Sequence, residues 1–95
     1  SDRTSNLTDE VTLKNYPNPF NPSTAISYSL NGSGYVSLKI YDVTGREVAS
    51  LVNEYQMTGS HTANFNAGNL SSGVYYYTLT INGILEQRRS MILLK

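Results

Sequence analysis

From Val11 onward the chain alternates short apolar and polar positions between clusters of turn residues. Thr24 to Leu30 puts Ile26, Tyr28 and Leu30 on one face, with Ala25, Ser27 and Ser29 on the other. Tyr35 to Tyr41 repeats the pattern: Val36, Leu38 and Ile40 share the apolar face, opposite Ser37 and Lys39. A sustained period of two marks a half-buried strand, because successive side chains leave the backbone on opposite sides. The connector Asn31-Gly32-Ser33-Gly34 is turn chemistry, so these two strands are expected to form a hairpin.

Asp42-Val43-Thr44-Gly45 predicts the next reversal, with aspartate opening a type I turn and Gly45 closing it in the left-handed conformation. Arg46 to Val52 then alternates less cleanly, as suits an edge strand, and Asn53 to Ser60 reads as a looser stretch. His61 to Asn66 resumes the alternation with Ala63 and Phe65 inward. After the turn cluster Asn69 to Gly73, Val74 to Ile81 places Tyr75, Tyr77, Leu79 and Ile81 on one face. Asn82-Gly83 is a strong two-residue hairpin signal, since both positions tolerate positive φ. It leads into a final strand, Ile84 to Leu94, where a bulge near Arg88-Arg89 would reconcile two apolar ends.

An opening strand over Val11 to Tyr16 brings the count to about seven, at roughly 8–12 residue spacing. No stretch carries the 3.6-residue period of a helix. The pattern predicts an all-β, immunoglobulin-like β-sandwich of antiparallel strands over residues 11–95. Within Leu70 to Tyr75, the spacing of leucine, glycine and tyrosine predicts a tyrosine corner, whose hydroxyl bonds to backbone just upstream. Ser1 to Glu10 is polar and aperiodic, and reads as a flexible tether from an upstream domain. The start at Ser1, with no signal peptide, is expected of a piece of a longer protein.

Ninety-five residues make one domain with a thin core, and the absence of cysteine leaves packing and strand pairing to hold it. Seven basic residues balance seven acidic ones. Nucleic-acid capture needs a basic excess, so that partner is not expected. No apolar run approaches the roughly 18 residues of a spanning helix, and membrane insertion is not expected either. Eight tyrosines against two phenylalanines suit pleated, half-buried surfaces.

Reactive chemistry is sparse. His61 is the only histidine, beside a strand start, and reads as a surface residue rather than a base or ligand. Asp42, Glu47, Glu54 and Glu86 are spread over turns and strand exteriors, where solvation or turn roles account for each. No calcium loop or phosphate-cradling glycine motif occurs. The chain is therefore expected to be non-enzymatic and to need no cofactor or metal. Tyr35, Tyr41 and Tyr76 could form a stacking platform for sugar rings, although cross-strand aromatic pairing is the favoured reading of them.

All three prolines lie in Tyr16-Pro17-Asn18-Pro19-Phe20-Asn21-Pro22, a stiff loop after the first strand in which Phe20 is placed to plug the sandwich end. The run Asn15 to Thr24 resembles the opening of the C-terminal sorting domains of the type IX (Por) secretion system. Tyr41-Asp42-Val43-Thr44-Gly45-Arg46-Glu47-Val48 is similar to the family's central hairpin, Leu70 to Tyr75 to its glycine-x-tyrosine motif, and Met91 to Lys95 to its apolar ending with a terminal lysine. The domain type also resembles the immunoglobulin-like part of flagellar hook-capping proteins.

The resemblance implies a non-catalytic sorting signal of Bacteroidetes-type bacteria. It implies that Pro17 and Pro19, Gly73 and Tyr75, and Leu94 and Lys95 are the signal's motif residues. The implied partners are an upstream cargo domain, the outer-membrane type IX translocon and a sortase-like transpeptidase. The implied route runs through the periplasm to the cell surface or extracellular space. Cleavage in or before Ser1 to Glu10 would release the cargo for anchoring. The competing expectation is a carbohydrate-binding or spacer module of a secreted polysaccharide-degrading enzyme.

Overall fold

A computed structural model describes residues 11–95, and the expected tether lies outside the described residues. Seven strands follow in order: β1 (Thr12–Tyr16), β2 (Ser23–Leu30), β3 (Gly34–Tyr41), β4 (Glu47–Gln56), β5 (Gly59–Asn66), β6 (Gly73–Ile81) and β7 (Ile84–Leu93). Every pairing between these strands is antiparallel, and the described residues contain no helix. A three-stranded sheet, β1-β2-β5, packs on a four-stranded sheet, β4-β3-β6-β7. This is the expected immunoglobulin-like sandwich.

The alternation read from the sequence is what fills the core. Ile26, Tyr28 and Leu30 of β2 face Val36, Leu38 and Ile40 of β3, with Tyr75, Tyr77 and Leu79 of β6 and Met91 and Leu93 of β7 beside them. All are buried. Each large apolar side chain taken from water contributes about 1.5–3 kcal/mol before chain entropy is set against it. Two contacts tie the sheets near their ends: the Tyr28 hydroxyl meets Gln56 Oε1 at 2.6 Å, and the Tyr77 hydroxyl donates to Asn15 Oδ1 at 2.9 Å.

The β3–β4 and β6–β7 hairpins form as expected. Gly45, at φ 88°, donates its N–H to Asp42 O at 3.0 Å, and Asn82 and Gly83 take φ 53° and 81°.

The expected β2–β3 hairpin does not form. β2 pairs with β1 and β5, whereas β3 pairs with β4 and β6. Residues 31–33 therefore cross from one sheet to the other. Short turn chemistry serves a hairpin and a crossing equally, and either route sends the same apolar faces into the core. At the crossing, the Asn82 main chain donates to Tyr35 O at 2.8 Å, and Asn82 Oδ1 accepts from Tyr35 N at 2.9 Å. Gly34 leaves room for that amide: a Cβ there would lie 2.9 Å from Asn82 Nδ2.

Two further expectations are corrected. The stretch read as loose from Asn53 is strand through Gln56, and only Met57 and Thr58 separate β4 from β5. β4 does lie at an edge, where its register against β3 shifts twice. Those shifts, at Val48 and Leu51, interrupt the alternation early in β4, whereas Asn53, Glu54 and Tyr55 pair regularly with β3 but are all exposed, so no apolar period marks them as strand. The bulge of β7 falls at Glu86, between the pairs Leu79–Gln87 and Thr80–Leu85, rather than at Arg88-Arg89, which pair regularly with Thr78 and Tyr77. Placing the extra residue earlier puts Gln87, Met91 and Leu93 on the inward side.

Candidate functional site

At one end of the sandwich β1, β5 and β7 finish while β2 and β6 begin. The three segments carrying the expected motif residues meet there.

The proline segment folds over that end. Its prolines cannot donate main-chain hydrogen bonds, so the residues between them make the attachments. The Phe20 ring is buried and tilted against Phe65, with centroids 6.2 Å apart. The Phe20 N–H donates to Ile92 O at 2.9 Å, and its carbonyl accepts from Leu94 N at 3.0 Å, forming a parallel bridge to Leu93. Asn18 Oδ1 accepts from Ile92 N at 3.0 Å. Two residues between prolines thus extend the sheet beyond β7.

Asn15 anchors the start of the segment. Its amide nitrogen reaches Thr24 Oγ1 at 3.2 Å and Pro17 O at 3.4 Å, while its oxygen accepts from Tyr77. Thr24, buried although polar, donates to Pro17 O at 2.9 Å. Burial pushes the Tyr77 phenol above its usual range, with Arg89 opposing.

The second segment is the loop into β6. The Tyr75 hydroxyl donates to Ser71 O at 2.7 Å, the expected tyrosine corner. Gly73 sits at φ 152°, a conformation that side chains strain to adopt. The third segment docks on this loop: the Lys95 main chain donates to Ser72 Oγ at 2.9 Å, and Lys95 Nζ donates to Gly68 O at 2.7 Å.

Of the motif residues, Tyr75 is buried, whereas Pro17, Pro19, Gly73, Leu94 and Lys95 are exposed on the cap. Sequence reasoning missed Asn15, Asn18, Ser72 and the Gly68 carbonyl, which join the segments. The amide of Asn18 between two donor-less prolines, with that of Asn15 two residues before the first, was the available signal.

Elsewhere, ionisable groups are engaged singly. Asp42 Oδ1 accepts from Thr44 Oγ1 at 2.6 Å, Thr44 N at 2.9 Å and Arg46 N at 3.0 Å, and Oδ2 lies 3.3 Å from Arg46 Nε. The Thr44 bonds, with Arg46 behind them, hold its carboxyl below the ordinary range. Glu47 pairs with Lys39 at 3.4 Å. His61 stacks on Tyr28 and meets Met57 O at 2.7 Å, near the other end of the sandwich. Among the described residues no three histidine or acidic side chains cluster as a metal site would require.

The tyrosine platform is not assembled as one surface. Tyr41 and Tyr76 are register partners, with the Arg88 guanidinium 4.6 Å from the Tyr76 ring centre. Tyr35 lies at the other end of β3, opposite Tyr55.

Compared with protein families, residues 14–93 match the secretion system C-terminal sorting domain. No curated protein and no solved structure matches the chain.

Proposed function

The chain belongs to the secretion system C-terminal sorting domains, a sorting signal for type IX secretion, and on that premise we propose that the cap is the surface the machinery reads. Family membership carries the general role: the domain follows a cargo in the same protein and directs it out of the cell. The finer reading concerns which atoms are recognised and what happens next.

One observation supports the cap as the recognised element. Pro17 and Pro19, Gly73 and Tyr75, and Leu94 and Lys95 lie on three segments far apart in sequence, yet hydrogen bonds join those segments at one end. The segments meet in this way only when the sandwich is folded. A receptor that contacts the cap therefore reads folding and identity together, as a sorting step for folded cargo requires. Buried Phe20 and Tyr75 hold it, and the exposed motif residues present it.

In this reading the outer-membrane translocon engages the cap after the cargo has crossed the periplasm. A sortase-like transpeptidase then cuts in or before residues 1–10 and transfers the cargo to the cell surface. The domain itself catalyses nothing and uses no cofactor. Fusing the chain behind an inert periplasmic reporter, in a host with a type IX system, tests the role. Reporter outside the cell supports it, and reporter retained in the periplasm with the domain folded contradicts it.

A further inference from the structure

A sandwich of two open sheets has four edge strands, and unpaired edges invite pairing with another chain unless something blunts them. Three of the four are blunted here. β7 is covered at its end by Asn18 and Phe20, carries Glu86, Arg88 and Arg89, and bulges at Glu86. β1 has five residues, includes Lys14 and runs into Pro17, and the Gln87 side chain donates to Val11 O just before it. β4 shifts register twice and bears Glu47 and Glu54.

β5 has none of these devices. Its eight residues pair with β2 without a shift from Gly59 to Asn66, and it contains no proline, lysine or carboxylate. Among the described residues its main-chain ladder runs to β2 alone. Its outward side chains are Ser60, Thr62, Asn64 and Asn66, all exposed.

We propose that β5 pairs with β5 of a second copy, antiparallel about a twofold axis, so that two three-stranded sheets join into one of six. The outward row favours its own copy because hydroxyls and amides each donate and accept, and are therefore self-complementary. In any antiparallel register that keeps like faces together, the outward hydroxyls and amides oppose one another, and no lysine, arginine or carboxylate meets its like. Like charges are destabilising when directly opposed, and here none are. The chain's net charge of zero adds no long-range repulsion. A twofold interface uses the same patch on both copies and closes at two.

Sedimentation velocity on the full chain, from roughly 10 μM to 1 mM, reads the association, and amide hydrogen exchange at both extremes locates it. The parent chain shifts from monomer to dimer, with slower exchange confined to β5. Thr62→Lys with Asn64→Lys puts like charges across the axis at exposed positions and weakens association by about tenfold or more. Thr62→Ser with Asn64→Gln retains it. A chain that stays monomeric throughout overturns the proposal. So does a dimer that ignores the lysines and protects β4 or β7 instead, or assembly that continues past two.

Discussion

The main chains of Phe20 and Leu93 run side by side, joined through Phe20 N–H to Ile92 O at 2.9 Å and Leu94 N–H to Phe20 O at 3.0 Å. A loop near the start of the domain thereby becomes a lateral partner of its last strand. The proline motif and the final motif residues form one structural unit, although more than seventy residues separate Asn18 from its partner Ile92.

Phe20→Ala tests how the cap is held. The ring is almost wholly buried and packs on Phe65. Removing it leaves a cavity where loop and core meet, at a cost of about 3–5 kcal/mol. Urea unfolding followed by circular dichroism reads this as a lower midpoint, and a loss under about 1 kcal/mol contradicts the plug.

Tyr75→Phe keeps the packing and deletes only the hydroxyl that donates to Ser71 O. The expected loss is about 1 kcal/mol. Tyr55→Phe, at an exposed position, stays within about 0.5 kcal/mol of the parent. Equal losses at the two sites contradict a specific corner bond.

Gly34→Ala tests the crossing between sheets. The new Cβ meets the Asn82 side-chain amide at 2.9 Å and Ile81 Cγ2 at 3.1 Å, so the Asn82 side chain must shift and its bond from Tyr35 N is disturbed. The expected destabilisation is about 1–3 kcal/mol. Gly32→Ala, where a Cβ meets nothing within 4 Å, is the milder change. An equal effect at both positions contradicts the close approach.

Asp42 predicts a pH response. Hydrogen bonds from Thr44, then Arg46, depress its carboxyl below the ordinary 3.8 in the folded chain. Between the folded value and 3.8 the unfolded chain binds more protons, so stability rises with pH there. Asp42's contribution is complete above that ordinary value and is lost as pH falls through the lower folded one. Unfolding midpoints of the parent and Asp42→Asn, compared as pH falls from neutral, are expected to converge in acid. A gap that stays constant across the acid range contradicts the role.

Much of this was legible locally. The β2, β3, β6 and β7 strands, the Gly45 and Asn82-Gly83 turns and the tyrosine corner all depend on residues close in sequence. Alternation, positive-φ turn residues and a fixed tyrosine offset express those constraints directly. The crossing at 31–33 was not legible, because Ile26 and Val36 face the core whether their strands share a sheet or oppose each other. Nor was the Glu86 bulge, which depends on how Gln87 and Met91 register against β6. The motif segments were visible individually. Their meeting depends on Asn18, Ser72 and Lys95 finding partners far along the chain, which no local period encodes.

The decisive measurement is export of a reporter fused to this domain with the cap's polar joins removed and its core kept. Asn18→Ala, Ser72→Ala and Lys95→Ala together cut the exposed bonds to Ile92, to the Lys95 main chain and to Gly68. Ser33→Ala cuts corresponding exposed bonds at the opposite end, to Thr58 and Met57. With both proteins folded by circular dichroism, the account predicts that the cap variant accumulates in the periplasm while the Ser33 variant reaches the cell exterior. A folded cap variant exported as fully as the parent contradicts it.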